Sequence, residues 1–175
     1  MPALSTLVRF AGAALLASGL AACASQQSTM QAPQYADRVV VEKSNRSMHL
    51  MQNGRVLKSY KVALGGDPVG HKMQQGDSRT PEGVYMVDFR RTVSRFNLAL
   101  RINYPNQQDR QLAASRGVDP GGEIYIHGQP TGGVNPARLA QTGADWTDGC
   151  IAVTNREMQE VFALVRDGTA VEIRP

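Results

Sequence analysis

The stretch Thr147-Asp148-Gly149-Cys150-Ile151-Ala152-Val153, running into Thr154-Asn155-Arg156-Glu157, decides how this chain is read. It sets a polar turn with a cysteine directly after a glycine. A short apolar run follows, then the T-x-x-E pattern of a helix N-terminus, in which the Thr side chain and the Glu side chain each satisfy a backbone N–H of the first turn. Met158, Val161, Phe162 and Val165 then recur at helical spacing. Asp167-Gly168 stops the helix, and Ala170 to Arg174 reads as a closing strand. One amphipathic helix placed directly after the cysteine turn has to bury its apolar stripe, and so should fix that turn against whatever it packs on.

Working back toward the N-terminus, what it packs on is strand. Arg38 to Glu42 carries a Val-Val-Val core. Ser47 to Gln52 and Arg55 to Ala63 flank Asn53-Gly54, a strong hairpin signal. Gly65-Gly66-Asp67-Pro68-Val69-Gly70 breaks the pattern as a loop. Gly83 to Phe89 alternates like a strand entered through Thr80-Pro81-Glu82, and Asn97 to Tyr104 is a further strand-like run. Glu123 to His127 is a short strand in which Ile124 and Ile126 share one face and Tyr125 and His127 the other. Val134 to Gln141 reads as a short helix ended at Gly143. The expected fold is mostly β, with one amphipathic helix after the cysteine and minor short helices.

Two cysteines have two separate explanations. Arg9 and the apolar run Phe10 to Leu20 form a segment too short to cross a bilayer, which takes about 20 apolar residues. Leu20-Ala21-Ala22-Cys23 follows and resembles the lipobox of bacterial lipoproteins. Residues 1–22 are therefore expected to be a signal peptide and Cys23 a lipidated first residue, with Ala24 in place of Asp pointing to the outer membrane; an ordinary cleaved signal with an incidental cysteine is the alternative. Residues 23–36 are rich in Ser, Gln, Ala and Pro and read as a tether; 37–175 should form one domain. The formal charge is +4, with Lys and Arg scattered, which argues against a nucleic-acid partner. The oligomeric state is not readable.

If Cys23 is lipidated, Cys150 has no disulfide partner, and an unprotected extracytoplasmic thiol invites a use. A thiol nucleophile needs a base and donors for the developing oxyanion. His127, at a strand end and followed by Gly128, is the candidate base, and the backbone N–H groups around Gly149 and Cys150 are candidate donors. On the residues alone a second reading stands beside this one: a cysteine near a helix start is often a small buried hydrophobe. His49 reads as a solvated strand residue, and His71 as a loop residue with some prospect of touching substrate. No C-x-x-C or H-x-x-x-H spacing points to a metal, and no resolving cysteine points to redox work, so no cofactor is expected.

The stretch Ile126-His127-Gly128, followed downstream by Thr147-Asp148-Gly149-Cys150-Ile151, resembles the L,D-transpeptidase catalytic domain (YkuD) family. So does Gly76-Asp77-Ser78-Arg79-Thr80-Pro81-Glu82-Gly83-Val84-Tyr85, and the resemblance spans Arg38 to Ile173. It implies a β-sandwich with the cysteine in a groove. It also implies cleavage of a peptide bond in peptidoglycan stem tetrapeptides through a thioester on Cys150, with His127 as base and a backbone carbonyl orienting it, from Gly128 or Thr147. The acyl group would pass to an amine or to water, so an L,D-carboxypeptidase or L,D-endopeptidase is the near alternative, and a non-catalytic wall-binding lipoprotein the distant one. Trp146, Asp148, Tyr125 and His71 are the expected substrate contacts. Asp148 and Ala152 stand where the common signature has histidine and arginine, a variant that looks like a proteobacterial branch whose members need not share one reaction.

Overall fold

The computed structural model describes residues 34–131 and 145–175. Its strands are β1 (Arg38–Glu42), β2 (Ser47–Gln52), β3 (Arg55–Lys61), β4 (Gly83–Arg91), β5 (Ala99–Ile102), β6 (Tyr125–His127), β7 (Ile151–Ala152) and β8 (Ala170–Arg174). Two helices accompany them among the described residues, α1 (Gln107–Arg116) and α2 (Asn155–Leu164). The strands are ordered β3-β2-β1-β8-β4-β5-β6-β7. β1 and β8 run parallel, as do β6 and β7, and the other pairs are antiparallel.

The long strand β4 turns the corner of this sheet. Gly83 to Met86 pair with β8, and Val87 to Arg91 pair with β5, with a register shift between Val87 and Phe89. Such a shift bends a strand and lets one sheet wrap over itself. The wrap brings the two ends together: Ala63, just past β3, exchanges hydrogen bonds of 2.9 and 2.8 Å with Ala152 of β7. Inside the curl lie Val39, Val41, Met48, Leu50, Tyr85, Leu100, Ile102, Ile126 and Ile151, all at most 1 % exposed. Met158, Val161 and Val165 of the α2 segment close the same core. Phe162 is partly buried, and the Arg90 guanidinium covers its ring at 4.0 Å.

The Asn53-Gly54 hairpin has both residues at positive φ (51° and 76°), as the expected two-residue turn requires. Several elements differ from expectation: the strand expected over Glu123 to His127 begins only at Tyr125, because Glu123 is at φ 54°, and the one expected over Arg55 to Ala63 ends at Lys61. The strand expected over Asn97 to Tyr104 is confined to Ala99–Ile102, with Asn97 at φ 64°. α1 was not expected as a helix at all. Its sequence, QQDRQLAASR, has no apolar stripe, and only Asp109 and Ala113 are buried. It is held by a capping box in which Asn106 and Asp109 each accept from the other's backbone N–H, and it ends at Gly117 in the left-handed conformation. The helix expected over Val134 to Gln141 lies outside the described residues.

Candidate active site

The turn carrying Cys150 is clamped from three directions. Asp145 receives a bidentate ion pair from Arg46 and the Leu64 backbone N–H at 2.9 Å. Thr147 N–H donates to Leu64 O, and Gly66 N–H to Thr147 O. The Thr147 hydroxyl then closes the turn on itself, donating to Cys150 O at 2.7 Å and accepting from Gly149 N–H at 3.1 Å. Gly149 is at φ +121°, and a Cβ there would stand 2.5 Å from Arg79 O, so only glycine fits. Arg79 and Thr80 belong to the Thr-Pro-Glu-Gly stretch, and Thr80 itself is fully buried and accepts from Gly65 N–H at 3.1 Å. That stretch therefore forms the wall behind the cysteine turn as well as the entry to β4.

β6 brings the histidine. Ile126 stands opposite Ile151 and His127 opposite Ala152. Cys150, one residue before β7, consequently lies beside Tyr125, whose backbone N–H favours the thiolate. His127 is two residues further along the same face of β6, an offset of about 6.6 Å between backbone positions. The thiol donates to Glu123 O at 3.6 Å. Cys150 and His127 line one cleft of about 790 Å³ with Trp146, Asp148, Lys72 and Gly121–Glu123, and a second, smaller cleft of about 320 Å³ with Arg91, Arg95 and Tyr125.

His127 is 3 % exposed and its ring is held on three sides. Phe96 lies 4.5 Å from it and Trp146 meets it edge-on at 5.8 Å. Its Nδ1 bonds Gly128 O at 2.5 Å; a carbonyl only accepts, so Nδ1 carries the hydrogen and neutral imidazole keeps its lone pair at Nε2. Of the two residues considered for orienting the histidine, Gly128 makes the bond and Thr147 is occupied inside the turn. Burial lowers the His127 pKa, partly opposed by the Gly128 carbonyl. Burial likewise pushes the Cys150 thiol up to about 11, opposed by the Tyr125 N–H and Lys72 and reinforced by Asp148 and Glu123. The resting pair is thus a neutral thiol and a neutral imidazole, so the sulfur has to lose its proton as it attacks.

Other site candidates separate into those at the cleft and those away from it. Asp148 is exposed at the cleft rim. The Tyr125 hydroxyl donates to Glu123 at 2.5 Å. Gly149 N–H is already bonded to the Thr147 hydroxyl, which leaves the Cys150 N–H as the remaining one of the two expected donors. His71 lines neither of these clefts: its Nδ1 accepts the Glu82 N–H at 3.0 Å and its Nε2 lies 3.3 Å from Asp109, in a network with Tyr85 and Tyr104 that seats α1. His49 bonds Ser59 and Ser47 across the β2–β3 hairpin.

Sequence reasoning missed Phe96, Lys72 and Asn155. Lys72 is 3 % exposed, paired with Asp77 at 2.8 Å, and reaches the cleft wall. Asn155, the first residue of α2, accepts the Gln129 N–H at 2.7 Å, and its side chain packs directly against Gly128. The N-terminal turn of α2 therefore holds the segment whose carbonyl orients His127. A signal existed only for Asn155, which sits in the capping box already recognised.

This geometry agrees with what the chain is similar to. The model of the L,D-transpeptidase catalytic domain (YkuD) family matches residues 36–173. YafK of Escherichia coli strain K12, a candidate L,D-transpeptidase, is 29 % identical over 146 residues, covering 80 % of this chain and 50 % of YafK. The chain thus spans about half the length of the curated relatives it matches. Among solved structures, the helical cell shape determining protein Pgp2 from Campylobacter jejuni superposes with TM-score 0.56 at 23 % identity, covering 77 % of this chain and 46 % of Pgp2. The Enterococcus faecium L,D-transpeptidase does so with TM-score 0.52 at 17 % identity, covering 80 % of this chain and 50 % of that one. At those identities the likeness is one of fold, a mostly β domain shared with L,D-transpeptidases. The family match extends over most of the sequence, and the chain belongs to the L,D-transpeptidase catalytic domain (YkuD) family.

Proposed function

We propose that this protein is a peptidoglycan-modifying cysteine acyltransferase, an L,D-transpeptidase acting on stem tetrapeptides through a thioester on Cys150. The observation that carries the reading is the pairing of Cys150 with a buried, neutral His127 in one cleft, the ring fixed through Nδ1 so that Nε2 is the free acceptor. As the sulfur attacks the scissile carbonyl, His127 Nε2 takes the thiol proton. The carbonyl oxygen gains charge and is met by the Cys150 N–H. The C–N bond then breaks, and the same proton passes to the leaving amine, so the thioester forms beside neutral imidazole. In the second half an amine of another stem, deprotonated by His127, attacks the thioester and the thiol recovers its proton. Water can enter the same step, which makes an L,D-carboxypeptidase or L,D-endopeptidase the alternative outcome. We further propose that Cys23 carries lipid and tethers the domain in the periplasm, at the outer membrane.

The test is incubation of the domain with disaccharide-tetrapeptide, followed by mass spectrometry of the products. Crosslinked dimer or D-amino-acid exchange supports transfer to an amine. Tripeptide alone assigns the acceptor to water. Untouched substrate, with the fold intact, removes the enzymatic reading and favours a wall-binding role.

A further inference from the structure

The smaller cleft at Cys150 holds two cations that no acid in the protein neutralises. All 15 Asp and Glu residues of the chain lie among the described residues. Ion pairs there occupy Arg38, Lys43, Arg46, Lys58, Lys72, Arg79, Arg101 and Arg174, and neither Arg91 nor Arg95 has a carboxylate partner. Both line the small cleft with Cys150 and His127, and Arg95 lines the larger one as well. Both side chains are exposed, and each guanidinium lies over an aromatic face. Arg95 lies 5.0 Å over the Phe96 ring, and Arg91 5.6 Å over Tyr125 and 5.9 Å over Phe89. Aromatic faces hold a guanidinium in place while leaving its planar N–H fork open for a ligand. The one carboxylate on this wall, Glu123, is engaged by the Tyr125 hydroxyl at 2.5 Å and by Arg101 at 3.5 Å.

We infer that Arg91 and Arg95 form a carboxylate subsite, which receives the free C-terminal carboxylate of the residue expelled when the Cys150 thioester forms. This rests on the acyl-transfer reading of Cys150. The leaving nitrogen has to lie within reach of His127, which returns its proton. The carboxylate of that same residue then sits one Cα further on, and the arginines bound the cleft that His127 opens into. At about 320 Å³ this cleft is at the small end of ligand pockets, which run roughly 300–1,000 Å³. It suits one small amino acid and leaves the larger cleft for the acyl side of the stem. Two guanidinium groups on one small cleft favour a donor that ends there in a carboxylate, which selects the last peptide bond of a stem over internal bonds.

The experiment compares two donors, a stem tetrapeptide with a free C-terminal carboxylate and its C-terminal carboxamide, on the wild type and on Arg91→Gln, Arg95→Gln and the double variant. Wild type should prefer the carboxylate by about tenfold or more in kcat/KM, because a bidentate charge-assisted contact is lost with the amide. The double variant should lose that preference through KM on the carboxylate donor, with a much smaller loss on the carboxamide. Arg95→Lys should recover only part of it, since an ammonium keeps the charge without the fork. Equal use of both donors by wild type, or an equal loss on both donors in the variants, overturns the subsite and leaves the thioester chemistry standing. Wild type inert on both donors overturns the acyl-transfer reading and the subsite with it.

Discussion

Cys150 and His127 are both neutral at rest, and that fixes the pH behaviour of the site. A base that must be unprotonated works above its pKa. Because burial lowers the His127 pKa beneath the ordinary value of 6.5, the acid limb of kcat/KM should fall only below that pH. The thiol, raised to about 11, should titrate late when followed by thiolate absorbance, and should react with a simple alkylating agent more slowly than free cysteine at neutral pH. An acid limb above 6.5 contradicts this, as does a thiolate already formed at pH 7. His127→Ala should lose about 10²–10⁴-fold in acylation. Asp148 is exposed and its charge opposes thiol ionisation, so Asp148→Asn should keep most of the activity and lower the thiol pKa slightly. A loss as deep as that of Cys150→Ala would assign the proton transfer to Asp148 instead. At this scale the sequence singles out the cysteine and histidine as candidates but says nothing of their environment. Phe96 is distant in sequence from both partners in its ring stack, His127 and Trp146, and nothing in its neighbourhood marks it.

Helix α2 is the element that converts packing into geometry. Its stripe of Met158 and Val161 anchors it in the core, Arg90 donates to the Phe162 carbonyl at 2.6 Å and to Val165 O at its C-terminal end, and Asn155 at its first turn holds Gln129. Asn155→Ala should leave the Gln129 N–H without its acceptor, cost about 1–3 kcal/mol in thermal or denaturant unfolding, and lower kcat more than it raises KM. Asn155→Asp keeps the acceptor oxygen and suits a helix N-terminus, and should restore most of both. Equal activity in Asn155→Ala and wild type would remove Asn155 from the positioning of His127. The helix itself was legible because capping box and apolar period coincide. α1 was not, because its only sequence signal is Asn106-x-x-Asp109 and its stability comes from a buried acid that Tyr85 and His71 reach from elsewhere in the chain. The hairpin at Asn53-Gly54 was legible for the opposite reason: its turn chemistry is entirely local.

At the scale of the molecule the curled sheet explains why distant motifs meet. Gly65, the Arg79-Thr80 pair and Gly149 come from three separate stretches of sequence, yet they form one wall because the segment after β3 pairs with β7 and the loop before β4 lies behind both. Period and turn signals reveal strands; they do not reveal that the first and last strands of the order touch. The anchor belongs to this scale as well. If Cys23 is lipidated, wild type should incorporate labelled palmitate and fractionate with membranes, and Cys23→Ala should do neither; equal labelling of both forms would remove the anchor. The proposed mechanism turns on the covalent intermediate, and the most direct measurement of it is intact-protein mass spectrometry with peptide mapping after rapid quenching of a stem-tetrapeptide reaction. The expected result is one added mass equal to the stem tripeptide acyl group, mapped to the peptide containing Cys150 and lost in Cys150→Ala together with turnover. Wild-type turnover by Cys150→Ala, or an adduct on any other residue, would contradict it.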